Sequence, residues 1–442
     1  MVLSGSIAYG PVLPAWMFHA QVPPPNHTFI PSLPGITWVD LVFPFFLFSM
    51  GAALPLSLSK KVLPTKPVGS LVLAIVKRFL LLAWFAYYFE HVQMHLLGQD
   101  YPNWQKWLNA LFSFLLLWGM FNGFSSKRKV WLGPAVQWLA LALSVVQVSL
   151  LSYQDGKPFN LGRVDIIILV LANMALFGSC IWWVTKNNPW LRIGMLPFVM
   201  AIFLSAKQEG SWQHWLYTLT PSNQVYQFYF LKYLFIIIPG TIAGEWLLTN
   251  QNMPVQTTTQ PATRLQMAFV VLLLTISNLV FLLERALTLN LLTTAVVGAV
   301  LLWQTKASPY RRLVQWGIYL LWLGLAFEAY EGGIKKDFST YSYYFICAGF
   351  AFLWLVAFSE LLALAKTGKP IQFLAKIGQN PLVAYVSGAL VLTPIMGLLG
   401  ILPHWQGMNT NAFVGFMKGF LFTGAVAAIT WLFTQKKWFW KS

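Results

Sequence analysis

The sequence predicts an all-α, polytopic helical integral membrane protein, and three observations predict it. Hydrophobic residues make up 57% of the 442 residues and charged residues only 9%, whereas a soluble chain carries about a quarter charged residues. Apolar runs long enough to cross a bilayer, about 20 residues each, recur along the whole chain. The loops between them alternate between base-rich and base-poor. Aromatic residues reach 17%, with 22 Trp and 35 Phe, which suits lipid–water interfaces. There are 29 Lys+Arg against 12 Asp+Glu, a net charge of +17. On a soluble chain that excess would suggest nucleic acid; on a chain this apolar it points to a membrane, and no nucleic acid partner is expected. Cys180 and Cys347 both lie in apolar runs. That excludes a disulfide framework and a cysteine zinc site, and no metal is expected.

The apolar runs read as spans at about 36–58, 69–89, 105–124, 131–151, 165–185, 193–206, 225–248, 265–283, 287–304, 313–330, 341–363, 381–402 and 412–434. The run 193–206 is short enough to be re-entrant. Residues 2–17 form a partial first span, with Pro11 and Pro14 near its end. No basic region precedes it, so it does not read as a signal peptide. One single domain over 1–442 is expected.

The positive-inside rule assigns the sides. One set of alternate loops holds Lys60, Lys61, Lys66, Lys127, Arg128, Lys129, Lys186, Arg192, Arg264, Lys306, Arg311, Arg312, Lys366, Lys369, Lys376, Lys436, Lys437 and Lys441. The other holds only Lys106, Lys157, Arg163, Lys207, Arg285, Lys335 and Lys336. The first set is expected in the cytoplasm, together with the C-terminus, and the loop 18–35 outside. All 6 histidines fall on the base-poor side or at its membrane edge. Histidine titrates near neutral pH and is the commonest general base, although an interfacial histidine is also simply tolerated where lysine is selected against.

Some residues are out of place in lipid. No Asp, Glu, Lys or Arg precedes Asp40, which opens a span in Thr37-Trp38-Val39-Asp40-Leu41-Val42-Phe43-Pro44. A carboxylate there is costly unless paired or functional; it equally suits an N-terminal cap. Pro44, four residues on, removes a backbone donor and leaves a carbonyl that protein or water must satisfy. Lys77 and Arg78 lie about eight residues inside their span, roughly 12 Å deep at ~1.5 Å per residue. They either snorkel as anchors or bind phosphate. Glu328, Glu331, Lys335, Lys336 and Asp337 cluster at one outer edge, as a solvated turn or as a polar substrate mouth. Walker, Rossmann and HExxH signatures are absent. The polar stretch 249–264 reads as a loop, and Pro23-Pro24-Pro25, framed by His19 and His27, stiffens the first outer loop.

The stretch from Ala15-Trp16-Met17-Phe18-His19-Ala20 to Asp40-Leu41-Val42-Phe43-Pro44-Phe45 and on to Gly51 resembles the bacterial members of the heparan-alpha-glucosaminide N-acetyltransferase family. Weaker likenesses follow at Lys77-Arg78-Phe79, Pro239-Gly240-Thr241-Ile242-Ala243-Gly244, Lys336-Asp337-Phe338-Ser339-Thr340-Tyr341-Ser342, Gly378-Gln379-Asn380-Pro381 with Tyr385, and Lys436 to Lys441. The chain departs from the family in its longer loop between His19 and Asp40, which makes His27 a rival to His19. It also lacks the family's opening half-span, so the first span is expected to be truncated, and against the family's core of spans the resemblance implies that the pairs 165–206 and 265–304 are extra.

The resemblance implies a membrane acetyltransferase that carries acetyl from cytoplasmic acetyl-CoA to an amino sugar, or to a sugar hydroxyl, outside. It implies His19 (or His27) as general base with Asp40 orienting it. It implies Lys77, Arg78, Asn380 and Tyr385 holding coenzyme A, and Lys336, Glu331 and Ser342 at the sugar. The alternative from another class is a transporter of an amino sugar or similar polar solute, its intramembrane charges forming the pathway. Expected partners are the bilayer, an extracytoplasmic sugar acceptor and, as an option, a second copy in a homodimer. The expected location is the bacterial inner membrane.

Overall fold

A helix forms within each of the runs that predict a full span, whereas the run 2–17, expected as a partial span, is helical only at Val2–Ser6 and Ala15–Met17. In a computed structural model, residues 2–59, 62, 67–121, 132–220, 222, 224–250, 261–364 and 369–440 are described. The loop bases at 60, 61, 66, 127–129, 366 and 441 lie outside them, as does most of the 249–264 loop. Among the described residues 11 helices are long and apolar enough to cross a membrane. They include α2 (Trp38–Leu58), α3 (Val68–His91), α5 (Leu132–Leu150), α6 (Ile166–Val184), α9 (Leu234–Thr249, entered through a 3-10 turn at Phe228–Tyr233), α10 (Pro261–Leu283) and α11 (Leu287–Gln304). The rest are α12 (Arg311–Glu331), α13 (Tyr341–Leu364), the broken helix from Pro381 to Leu398, and α18 (Ala412–Gln435). The protein is an all-α, multi-pass integral membrane protein.

Two expected spans fall short of that standard. α4 (Asn103–Phe121) has 19 residues but opens on the polar Asn103-Trp104-Gln105-Lys106. α7 (Pro189–Ser205) has 17 and carries Pro197 inside. The expected span 381–402 is broken into α15 (Pro381–Ser387), a π turn at Gly388–Leu392, and α16 (Thr393–Leu398). The break has a cause: Pro394 has no N–H for the carbonyl of Leu390, and the Thr393 N–H reaches back to Gly388 instead. Before α2, the chain forms only α1 (Val2–Ser6) and a single turn at Ala15–Met17.

The described residues group into two compact units. The first comprises residues 1–13, 77–172 and 368–442; the second comprises 14–76 and 173–367. In the first, α18 presents Gly415 and Gly419 to Ala8 and Ile7, and α3 is tied to α5 by Trp84 Nε1 to Ser144 at 2.9 Å.

In the second unit α2 and α9 touch backbone to backbone. A Cβ on Gly240 would stand 2.4 Å from the carbonyl oxygen of Phe48, and one on Gly244 2.2 Å from that of Ala52. This is the small-xxx-small spacing by which membrane helices approach closely when no hydrophobic force drives them together. The unit has two ends. One carries His19, Asp40, Lys232, Arg285, Lys335 and Lys336. The other carries Arg192, Glu245, Arg264, Arg311, Arg312 and Glu360. The described loop bases named here thus fall at opposite ends according to the loop set they belong to.

Candidate functional site

The site at the His19 end is built on the first turn of α2. Thr37 is its N-cap and Asp40 its third residue, and together they form a capping box. Thr37 N–H donates to Asp40 Oδ2 at 2.9 Å, the Thr37 hydroxyl stands 3.3 Å from the same oxygen, and Ala20 N–H donates to it at 3.1 Å. Oδ1 is left for His19 Nδ1, 2.6 Å away. Both readings of Asp40 are therefore realised in one side chain: one oxygen caps the helix and the other holds a histidine.

A carboxylate only accepts, so Nδ1 carries the proton and Nε2 is left as the basic nitrogen. The Asp40 side chain is 2% exposed and that of His19 41%. The carboxylate is locked inside while the ring it orients faces outward. Lys336 Nζ lies 3.4 Å from His19 Nδ1. With both nitrogens protonated that approach is not a hydrogen bond; it places a positive charge beside the pair.

Pro44 acts as expected. It leaves the carbonyl of Asp40 without its helical donor, and the Tyr343 hydroxyl supplies one at 2.9 Å. Two loops close over the pair. Gln21, 3% exposed, takes the N–H of Asp337 at 2.8 Å and donates to the carbonyls of Asp337 and Pro31. Gly35 N–H donates to Ile334 at 2.7 Å. Gly333 sits at φ +125°, where Pro34 and the Arg285 guanidinium leave no room for a side chain.

A buried hydroxyl chain lies alongside. Ser339 bonds the hydroxyls of Tyr229 and Tyr344, each at 2.6 Å. Lys232 donates to the Ser339 carbonyl at 3.1 Å and stands over the rings of Phe203, Tyr229 and Tyr341.

The other sequence-read residues fare differently. His27 is at φ +49°, its Nδ1 toward the Val22 carbonyl at 3.3 Å and its ring edge-on to Phe18; Asp40 pairs with His19 instead. Glu331 uses both carboxylate oxygens on the N–H groups of Tyr341 and Ser342, capping α13 at 2.7 and 2.9 Å. Ser342 is buried and donates to Thr340 at 2.8 Å. Both carry the helix start, and Lys336 alone of the three expected sugar ligands stands at His19.

The expected coenzyme A residues all belong to the first unit. Lys77 is exposed and reaches Gln137 at 3.5 Å. Arg78 has a buried Nε with no hydrogen-bond partner among the described residues. Asn380 uses its side chain on the backbone of Trp438 at 2.9 Å and Trp440 at 3.2 Å. Tyr385 donates to Asp165 at 2.7 Å, the residue that precedes α6 and accepts from Ile168 N–H. Asn380 and Tyr385 are thus structural in their first contacts, and Arg78 keeps an unmet donor. His91 is buried, its Nδ1 on the Tyr87 carbonyl and its Nε2 receiving Asn160 N–H. In the adjoining loop Arg163 pairs with Asp155 and holds that carboxyl below its ordinary range. Burial pushes the Tyr153 phenol up to about 12.

Sequence reading missed Gln21, Tyr229 and Tyr343. Gln21 had one signal, an amide two residues from His19 in a stretch with no charge. The tyrosines had none, because their partners are over a hundred positions away.

Fold and site together define a multi-pass helical membrane protein with a buried carboxylate–histidine pair at one end of its second unit. Residues 1–247 match the family described as a domain of unknown function, DUF5009, and the chain belongs to that family. The match includes His19, Asp40, Lys77 and Arg78 and ends before Lys336. Comparison with curated proteins gives no match.

Proposed function

We propose that this chain is a transmembrane acetyltransferase that moves acetyl from cytoplasmic acetyl-CoA to an amino sugar, or a sugar hydroxyl, on the extracytoplasmic side. The observation that carries the reading is the 2.6 Å contact between the buried Asp40 and the outward-facing His19. An amine must lose a proton as it attacks a thioester. His19 Nε2 takes it, and Asp40 fixes the tautomer and stabilises the imidazolium that results. The carbon–sulfur bond breaks, the carbon–nitrogen bond forms, and the departing thiolate of coenzyme A takes up a proton. Lys336 faces the acceptor beside His19. Arg78, whose buried Nε has no hydrogen-bond partner among the described residues, and the neighbouring Lys77 take phosphates of coenzyme A. The resemblance of the His19–Gly51 stretch to heparan-alpha-glucosaminide N-acetyltransferases supports the same reading. So does the excess of bases on one set of loops, which by the positive-inside rule favours a cytoplasmic C-terminus; the location proposed with it is a bacterial inner membrane.

Proteoliposomes test it. With acetyl-CoA inside and glucosamine outside, labelled acetyl should appear on the outer sugar. Uptake of glucosamine into vesicles lacking coenzyme A, with no acetylation, would establish the transporter instead.

A further inference from the structure

The end of the second unit away from His19 holds a cavity with cationic residues in its wall, outside the residues assigned above to acetyl transfer. From Lys232 to Glu245 the chain climbs roughly 20 Å at ~1.5 Å per residue. There a cavity of about 580 Å³ opens between the end of α9 and the start of α12. Arg311, Arg312, Glu245, Trp246, Ser308 and Trp316 are among the residues that line it. The one acid in this lining is already neutralised. Glu245 Oε1 accepts from Arg192 at 2.7 Å and from Trp182 Nε1 at 2.7 Å. Arg192 itself is 0% exposed and tied to Thr185 and Thr241. Two guanidinium groups therefore remain uncompensated, at the start of a 21-residue helix whose N-cap, Tyr310, gives no side-chain cap. One of them, Arg311, donates to the Lys306 carbonyl at 3.2 Å. No hydrogen bond holds Arg312 among the described residues.

A second cavity of about 420 Å³ shares Arg312 and Trp316 with the first and continues between α7 and α12 past Trp190, Ile193, Gln315 and Tyr319. Trp190 is 74% exposed and Tyr319 55%. Both are uncovered aromatic rings on apolar helices, a surface that suits lipid tails. A soluble anion needs only the first cavity. Cationic pocket, indole walls and apolar side groove in sequence match a molecule with a phosphate head and a hydrocarbon tail.

We propose that these two adjoining cavities bind an anionic membrane phospholipid. Arg311 and Arg312 hold its phosphate, Trp246 and Trp316 flank the head, and an acyl chain lies along Ile193 and Tyr319. This site stands or falls apart from acetyl transfer.

Native mass spectrometry of the delipidated full chain tests it, with phosphatidylglycerol, phosphatidylcholine, inorganic phosphate and coenzyme A as separate probes. The wild type should retain phosphatidylglycerol at least fivefold more tightly than phosphatidylcholine. Arg312→Gln should lose roughly tenfold in phosphatidylglycerol affinity, and Arg311→Gln with Arg312→Gln more. Lys306→Gln makes the same charge change on the same loop outside the cavity and should lose nothing. Arg312 is exposed, so the single variant serves if the double variant does not fold. Equal retention by Arg312→Gln and wild type overturns the site. So does equal loss in Lys306→Gln, which would mean surface charge alone. Binding of phosphate, or of coenzyme A in a form that Arg312→Gln abolishes, with no lipid retained also overturns it, in favour of a soluble ligand.

Discussion

Asp40→Asn is the sharpest perturbation of the pair, because the two faces of the carboxylate make opposite demands on an amide. Oδ2 accepts from two backbone N–H groups, at 2.9 and 3.1 Å, while Oδ1 accepts from His19 Nδ1. An amide oxygen turned toward Thr37 and Ala20 puts the NH2 against Nδ1. The ring must then move its proton to Nε2, where it can no longer act as a base. Turned the other way, the amide keeps the tautomer but sets NH2 against two backbone donors in a site 2% exposed. That orientation costs about 1–3 kcal/mol of unmet hydrogen bonding, so the first should dominate. Either orientation removes the charge that stabilises the imidazolium, worth about 1.5–3 kcal/mol for a charge-assisted bond. With the tautomer lost as well, the rate of acetyl transfer should fall by roughly 10²–10⁴-fold, the scale of such a change in a carboxylate–histidine pair. The assay is acetyl transfer in proteoliposomes, with the melting temperature measured beside it. Activity within threefold of wild type in a folded Asp40→Asn protein would refute the orienting role.

Three further predictions follow from the same geometry. Tyr343→Phe removes the donor to the carbonyl that Pro44 leaves free, and thermal unfolding should show a loss of about 1–3 kcal/mol; an unchanged melting temperature would mean water replaces it. Gly244→Val should prevent α2 and α9 from meeting, since even a Cβ would stand 2.2 Å from the Ala52 carbonyl, and full yield of folded protein would contradict the close approach. Asp155 is held below the ordinary carboxylate range by Arg163, so the pairing that steadies its loop is complete above that range and is lost as pH falls through the lowered value. Protection factors at residues 152–163, taken against the intrinsic exchange rate at each pH, should therefore fall on acidification in wild type, and in Asp155→Asn they should be low at every pH; protection independent of pH in wild type would contradict the pairing.

The fold was legible because a bilayer imposes one length on every span. The run read at 287–304 is the helix Leu287–Gln304, and that read at 341–363 is Tyr341–Leu364. Reading failed where a local group overrode hydropathy, as at Pro394, whose missing N–H breaks the helix from Pro381 to Leu398. At the site, Asp40 and His19 were legible because charge and imidazole stand out in an uncharged opening. The choice between His19 and His27 was not, since it depends on how a loop folds back onto Thr37. Glu331 read as a substrate ligand because its acidity was visible and its backbone partners, Tyr341 and Ser342, were not. Gln21 and Tyr343 act on backbone carbonyls and N–H groups, which every residue has, so nothing in their spacing marked them.

The role proposed for His19 as the base is tested most directly by acetyl transfer to external glucosamine by His19→Ala and His27→Ala in matched proteoliposomes loaded with acetyl-CoA, with coenzyme A binding measured on each. Transfer should be lost in His19→Ala with coenzyme A still bound, and should stay within about twofold of wild type in His27→Ala. Full transfer by His19→Ala would contradict that role.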